Sequence, residues 1–537
     1  MTPPLVYSID AGLPFARDLA AGVRQLAGSP ERLARGLVLL PSRRAAQALQ
    51  AAFLDSADGA PMLLPRLLPI GDFGGDDDGR LTAFLGDDDS GDLPPPISKI
   101  RRQINLAKLL RHFPLGGHYP NQPQAMHLAD QLGELLDQLY NADATAEQLC
   151  ALLPERFSAH WQDILTLLGI LIERWPDILA QEGVLDVVDR RNRLLRRRAQ
   201  LWREQPPDQL VVVAGSTGSI AATRELIGVV AQLPDGHVVL PGLDRQAGDQ
   251  WPAISQDSGH PQYQLAQLLN ALDITPDQVR DWVVASPDVP PELAARRQLM
   301  QEVFRPAALS AHWQRLGDTG PLIDRTALAG LKIITARDRR EEANIIALSL
   351  REALETPDQT AAVVTPDRQL AELVIAELQR WQITIEDSAG RQLAVTPTGR
   401  FLQLLANAVA EDLAPLSLLA MLKHPYAAGG VKQRDFQQQV AQLELAVLRG
   451  ARPAIPGING LLAAAPTAEL KAFVQQQIAV PLAPVLAAWA APQPTLASMV
   501  AALAESAELL AAEVMAAEMI DSTADQPDRG QGAMRLW

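Results

Sequence analysis

Between residues 209 and 244 the sequence reads QLVVVAGSTGSIAATRELIGVVAQLPDGHVVLPGLD, and this stretch limits the possible folds more than any other. A short apolar run, LVVVA, meets a glycine-bearing turn. A helix-patterned segment follows, then a second turn and a further apolar run, HVVL. Strand, turn, helix, turn and strand in about 35 residues is the size of a βαβ unit. Apolar runs without polar alternation belong to strands covered on both faces, as in parallel sheets. The same order recurs near the start. Leu5–Ile9 leads into Asp10-Ala11-Gly12 and a helical stretch, and GLVLLP at 36–41 leads through Ser42-Arg43-Arg44 into AAQALQAAFL. These pieces read together as one parallel α/β sheet.

From Ile97 to about Glu204 the pattern between them is helical throughout, with at least four helices. One sheet carrying a helical insertion accounts for this, whereas two independent sheets would each need more strands. Residues 74–96 are acidic and Gly-rich, with Asp runs at 76–78 and 87–89 and Pro94-Pro95-Pro96 at the end; they read as a surface excursion. A second α/β segment starts near Leu331 with LKIITA, a helix, TAAVVTP and another helix. Beyond Gly399 the chain turns helical, and it is Ala-rich over 461–518. The expected division is a first sheet domain in two parts (1–96 and 205–325), a helical insertion (97–204), the start of a second sheet domain (326–400) and an incomplete helical insertion (401–537). The ending DQPDRGQGAMRLW reads as a stop partway through a larger fold.

Bulk properties exclude several classes. At 537 residues the chain exceeds one core. A single cysteine, Cys150, excludes an internal disulfide framework and any cysteine-clamped zinc or iron–sulfur site. The N-terminus lacks a basic region leading into an apolar run, and no stretch approaches the roughly 20 apolar residues of a membrane span. A soluble, cytoplasmic chain without membrane contact is expected. A net charge of −16 argues against wholesale coating of nucleic acid but permits a local basic channel.

A working phosphate loop needs backbone N–H groups, a Lys for the terminal phosphates and a Ser or Thr for Mg²⁺. After the first strand this chain offers Asp10, Gly12 and Arg17, with Pro14 removing a donor, bulky Phe15, and Asp10 and Asp18 repelling phosphate. The turn is a degenerate nucleotide loop, better read as a structural βα corner. Gly215, Ser216, Thr217, Gly218 and Ser219 form a more permissive turn whose amides suit an anion; the bland alternative is a tight turn with Ser219 capping the next helix. In the helix DVVDRRNRLLRRRAQLWRE, Arg191 and Arg198 fall inside the stripe made by Val187, Val188, Leu194, Leu195, Leu201 and Trp202. They either line a groove for phosphates or pack with ion pairs. Arg337, Arg339 and Arg340 follow LKIITA at a strand end, where ligands usually bind, or else simply open a helix.

Catalytic residues are not expected. Glu469-Leu470-Lys471 is the one tempting Glu-x-Lys, but it lies in a helical pattern with no strand to frame a nuclease site. His112, His118 and His127 straddle a Gly/Pro-rich turn and read as surface histidines.

Several stretches in order, VYSIDAGLPFARDLA, LVLLPSRRAAQALQAAFL, SAHWQDILTLLGILIERWP, the 209–244 unit, HPQYQLAQLL, EVFRPA and TIEDSAGRQLAVTPTGRFLQLLANAV, resemble the AddB subunit of AddAB helicase–nucleases in its alphaproteobacterial form. The resemblance spans essentially the whole chain. It implies a superfamily-1 helicase-like architecture of RecA-like, P-loop NTPase-like parallel-sheet domains with degenerate ATP motifs and large helical insertions. It also implies a role in resecting double-strand DNA breaks for recombinational repair, with the AddA helicase–nuclease subunit as partner and double-stranded ends and single-stranded DNA as ligands. ATP and Mg²⁺ would serve the complex through AddA; this chain would carry no cofactor of its own. Ala214-Gly215 would stand where the metal-linked Asp-Glu of an active motor follows its strand, and Leu243-Asp244 near the third helicase motif. The family's nuclease domain and its cluster-ligating cysteines are not in this sequence. Arg43, Arg44, Arg191, Arg198 and Arg339 are the candidate DNA-binding residues. The rival expectation is a self-contained α/β enzyme holding a nucleotide or phosphorylated small molecule at Gly215–Ser219.

Overall fold

The chain divides into two units, Met1–Leu331 and Lys332–Trp537. The computed structural model describes residues 4–57, 60–70, 93–112, 119–144, 148, 174–284, 290–316, 324–357, 359–449, 456–524 and 534–535. The Asp runs at 76–78 and 87–89, His118, Cys150 and most of SAHWQDILTLLGILIERWP lie outside the described residues.

The first unit is built on a six-stranded, all-parallel sheet, a Rossmann/RecA-like α/β arrangement with helices on both faces. Its strands are β1 (Val6–Ile9), β2 (Leu37–Leu40), β3 (Arg66–Pro69), β4 (Val211–Ala214), β5 (Gly236–Pro241) and β6 (Arg280–Asp281), in the spatial order β3-β2-β4-β5-β1-β6. Each strand splits its side chains between two cores, as the two-residue period demands. Leu37, Leu39, Val211, Val213, Val238 and Leu240 enter one core, while Val38, Leu40, Val212, Ala214 and Val239 enter the other. Both faces are apolar because both are covered, which is why the strands read as unbroken apolar runs.

Helices α1 (Phe15–Ala27), α2 (Pro30–Arg35) and α3 (Arg43–Asp55) cover the second face through Leu19, Val23, Leu33, Leu49 and Phe53. The chain moves toward the β3 edge as it passes from β1 to β2 to β3. It then reverses, and the helices that follow lie on the first face, as right-handed crossovers require. Among these, α4 (Lys99–Leu110), α5 (Gln122–Ala142) and the helical residues 174–182 gather around Leu106, Leu110, Leu132, Leu136 and Trp175. The last helix of the expected insertion, α6 (Val187–Glu204), instead packs Leu194, Leu195, Ala199 and Trp202 into the sheet core. It is therefore the β3–β4 crossover helix, and it joins the helical block to the sheet. Helices α7 (Ala221–Val230) and α8 (Tyr263–Leu272) complete that face. Burying a Leu, Val or Phe side chain is worth about 1.5–3 kcal/mol, so these two layers dominate the unit's stability.

Two strands carried too little pattern to be expected. β3 lies in LLPRLLPI, where prolines interrupt the apolar residues, and β6 is two residues long. β6 is anchored by the next residue, Trp282, whose Nε1 donates to the Asp18 carbonyl at 2.9 Å. A Cβ on Gly22 would overlap that indole, so glycine is required for the close approach of α1.

After α9 (Pro291–Val303), which completes the first unit's site, the second unit differs from expectation. Neither LKIITA nor TAAVVTP forms a strand, and Leu331, Ile333, Ile334 and Val364 are exposed. The flanking helices α10 (Arg339–Leu354) and α11 (Arg368–Gln379) do pack together through Ala343, Ala347, Leu350, Leu370, Val374 and Leu378. Residues Ala361 and Val363 lean on this pair while Ala362 and Val364 face outward. The alternation of a strand is present, but among the described residues no neighbour supplies the ladder. Beyond Thr396 a helical bundle forms around Phe401, Leu405, Leu422, Phe436, Leu443, Phe473 and Leu482. The stretch Ala468–Trp489, 22 residues, is long and apolar enough to cross a membrane by length and composition. Its Leu470, Phe473, Val474, Ile478, Leu482 and Val485 are core residues of this bundle, which accounts for the apolarity.

Candidate functional site

In open parallel sheets, ligands bind beyond the carboxyl ends of strands where adjacent crossovers depart to opposite faces. β1 and β5 are such a pair: α1 leaves β1 for one face, and the chain after β5 reaches α8 on the other. Their turns, Asp10-Ala11-Gly12 and Gly242-Leu243-Asp244, face a cleft of about 390 Å³. Ser8 ties the two strands together, its Oγ accepting from the Leu243 amide at 3.2 Å.

The first turn is already filled by protein. Gly12 adopts φ +85°, a left-handed conformation that favours glycine, and a Cβ there would overlap the Leu293 side chain of α9. One turn further along α9, the Arg297 Nε donates to the Ala11 carbonyl and its Nη1 to Asp10 Oδ2, both at 2.8 Å. Arg245 adds a second, longer pairing to Asp10 at 3.7 Å and bonds Asp281. The carboxylate that would repel phosphate is thus held by two arginines, while the volume beside the glycine is taken by leucine. Arg17 is exposed and lies 3.7 Å from the Asp18 carboxylate. Burial pushes the Asp244 carboxyl above its ordinary range, against hydrogen bonds from the Gln246 and Ala247 amides.

The second turn closes on itself. Gly215 and Gly218 both take positive φ, the Gly218 amide donates to Ser216 Oγ at 3.3 Å, and Arg224 Nε donates to the Gly218 carbonyl at 2.9 Å. Thr217 lies between them, within the same turn. Ser219 does not cap the helix: α7 starts at Ala221, and Ile220 occupies the cap position without a side-chain bond. Phe15 and Pro41 approach Gly215, so the β2 and β4 turns lie side by side. This is the other place in the sheet where neighbouring crossovers diverge. Arg43 and Arg44 open α3 there, above an N-cap in which Ser42 accepts from the Ala45 amide.

The arginine stripe of α6 is placed differently from a phosphate groove. Arg191 is buried, donates to Asn141 and to Asn192 at 3.0–3.2 Å, and burial lowers its pKa. That position leaves it no open surface for a nucleic acid strand. Arg198 stacks over Trp202 with its guanidinium 5.6 Å from the ring. Arg190, the neighbour of Arg191, is also buried and donates to the Pro94 carbonyl at 2.9 Å. Arg190 and Arg191 are thus held by hydrogen bonds to neutral oxygens, and Arg198 lies against an aromatic ring.

No protein-family model and no curated protein matches this chain.

Arg339 belongs to the second unit, where it bonds Gln369 at 2.6 Å and pairs with Asp367 at 3.2 Å, linking the starts of α10 and α11. Arg337 bonds Glu341 instead. Glu469 and Lys471 sit in a short helix, Ala468–Phe473, with Leu470 in the core between them. Among the described residues no three His, Cys, Asp or Glu side chains come together as a metal-ligand set. His112 Nδ1 donates locally to the Lys108 carbonyl at 2.7 Å, and His127 is exposed. Leu293 and Arg297, which decide the character of the first turn, carry no local signal; they lie about 280 residues downstream in an unremarkable helical pattern.

Proposed function

We propose that this chain is an AddB-like, helicase-like subunit that does not hydrolyse ATP itself, guiding DNA and binding an AddA-type motor during resection of double-strand breaks. The observation that carries the reading is the filled turn after β1: Leu293 packs on Gly12, and Arg297 takes the Ala11 carbonyl and Asp10. A motor fold in which the nucleotide position is stably closed by its own chain suits a subunit whose partner supplies hydrolysis. The sheet supports the reading in a second way. Its order, with β1 between β5 and β6, is compatible with a RecA-like domain and differs from the 3-2-1-4-5-6 order of dinucleotide-binding domains. The helical block spliced between β3 and β4 supplies a third support, since helicase-like subunits carry such insertions in the family the sequence resembles.

Within this reading the DNA-facing cations are Arg43 and Arg44, at the carboxyl end of the sheet beside the Gly215–Ser219 turn. Single-stranded DNA binding by the chain tests the proposal. Affinity should fall steeply and linearly in log–log form with salt, because cation–phosphate contacts release counterions. Binding that is absent, or flat with salt, would refute a DNA-guiding role.

A further inference from the structure

The cleft beyond β1 and β5 remains open although the nucleotide turn beside it is filled. Its volume, about 390 Å³, lies within the roughly 300–1,000 Å³ typical of small-molecule sites. One side is apolar, formed by Leu243, Ile254, Leu293, Met300 and Phe304. Met300 and Phe304 are 42% and 46% exposed, so the apolar surface runs from the interior out to the mouth.

The charges around the cleft are matched among themselves. Asp10 lies between Arg245 and Arg297, and Arg245 also bonds Asp281. Arg296 is held by the backbone carbonyls of Ala327 and Ala329, and Asp244 accepts from the Gln246 amide at 3.0 Å. Arg245, Arg296 and Arg297 therefore stand against Asp10, Asp244 and Asp281, with neither sign in excess. An ion entering such a cleft would lose water and gain no counter-charge, so the wall favours a neutral molecule.

Two glutamines in this wall differ in a way that defines the polar part of that molecule. The side-chain amide of Gln262 is satisfied at both ends: Oε1 accepts from the Asp244 amide at 3.3 Å, and Nε2 donates to the Gly242 carbonyl at 3.0 Å. Gln250 closes the short turn Arg245–Gln250 and is only 3% exposed. Its side-chain amide makes no hydrogen bond to another described residue, and the cleft is the space it lines. Leaving a buried amide unpaired is costly, so a partner brought into the cleft recovers what the fold does not supply. The amide offers one acceptor oxygen and an NH₂ donor in a single plane. A second neutral amide answers both at once.

We propose that this cleft binds a small neutral carboxamide with an apolar body, its amide paired with Gln250 and its body against Leu243, Met300 and Phe304. The site stands apart from the helicase-like reading: it requires neither DNA nor a partner subunit.

Titration calorimetry of the full chain with 3-phenylpropanamide tests it, run beside 4-phenylbutan-2-one, in which a methyl group replaces the amide nitrogen. The amide should bind at least about tenfold tighter than the ketone, because only the amide returns the missing donor. The anion 3-phenylpropanoate should bind more weakly than the amide. Gln250→Leu should bring the amide-to-ketone ratio close to one. Its melting temperature should equal or exceed the parent's, since an unpaired buried amide is removed, so lost discrimination is not lost folding. Phe304→Ala, at a half-exposed rim position, should weaken both neutral probes several-fold and keep their ratio. Absence of saturable amide binding up to millimolar concentration would overturn the proposal. So would equal binding of amide and ketone, tighter binding of the anion, or amide binding indifferent to Phe304→Ala. A Gln250→Leu variant that keeps the parent's ratio, or that melts below the parent, would equally contradict it, the latter by showing the amide to be already partnered within the protein.

Discussion

Leu293 stands over Gly12, so that the glycine's missing side chain is the space the leucine fills. The two residues are far apart in sequence, and their contact turns a loop built for close approach into a packed joint. Gly12→Ala should cost about 2–3 kcal/mol, combining overpacking with strain at positive φ. Leu293→Ala should recover part of that loss, leaving a coupling of about 1 kcal/mol in a double-mutant cycle read by urea denaturation. Strict additivity would mean that the two side chains do not compete for the same space.

A second relationship holds the helical block to the sheet. Asp186 is fully buried and accepts from Arg102 Nε at 2.9 Å, Trp175 Nε1 at 3.1 Å and the Val188 amide at 3.2 Å. Burial nevertheless pushes its pKa up, more than Arg102 lowers it. Asp186→Ala should destabilise the first unit by about 1–3 kcal/mol, because it leaves Arg102 Nε and Trp175 Nε1 buried without their acceptor, while Asp137 still pairs with the guanidinium at 2.7 Å. The lost stability should appear in chemical denaturation as a lower midpoint with an unchanged slope.

His237 gives a pH dependence whose sign is fixed. Burial lowers its pKa from the ordinary 6.5, and Asp235 offsets this only in part. The unfolded chain therefore binds more protons than the folded one below about pH 6.5, and stability falls as pH drops through that point toward the depressed folded value. Subtracting the pH–stability profile of His237→Phe from that of the parent should isolate this loss. A difference profile that is flat between pH 7 and pH 5 would show that His237 titrates alike in both states.

How far the sequence foretold this arrangement depends on the range of the interactions. Val211–Ala214 and Leu37–Leu40 were legible as buried strands because each is covered on both faces and so carries no polar residue. The turns after them were legible through their glycines. β6 was not, since two residues hold no period, and its anchor Trp282 finds Asp18 264 positions away. The same limit hid the plug: nothing around Leu293 or Arg297 tells that they close a turn at Asp10. The reverse error occurred at LKIITA and TAAVVTP, where apolar β-branched residues suggest strands. Strand propensity describes fit to a half-buried pleated surface, and Ile333, at 89% exposure, finds no such surface among the described residues.

The arginines divide by burial into two classes with different outcomes. Replacing Arg43 and Arg44 with Ala should reduce the salt slope of single-stranded DNA binding by about one to two, leaving the fold intact. Arg191→Ala should do the opposite. Its guanidinium is enclosed by Asn141 and Asn192, so stability should drop while the salt slope in the remaining folded protein stays unchanged. Anisotropy titrations at several salt concentrations, paired with thermal melts, separate the two.

The central claim is that the motor position in this chain is closed and that hydrolysis belongs to a partner. The most direct measurement is DNA-stimulated ATP hydrolysis by the complex of this chain with an AddA-type subunit. Destroying the phosphate-loop lysine of that subunit should abolish hydrolysis completely, whereas Arg297→Gln in this chain should leave the rate within about twofold. Hydrolysis that survives the loss of the partner's lysine, or failure of the two chains to form a complex, would contradict the account.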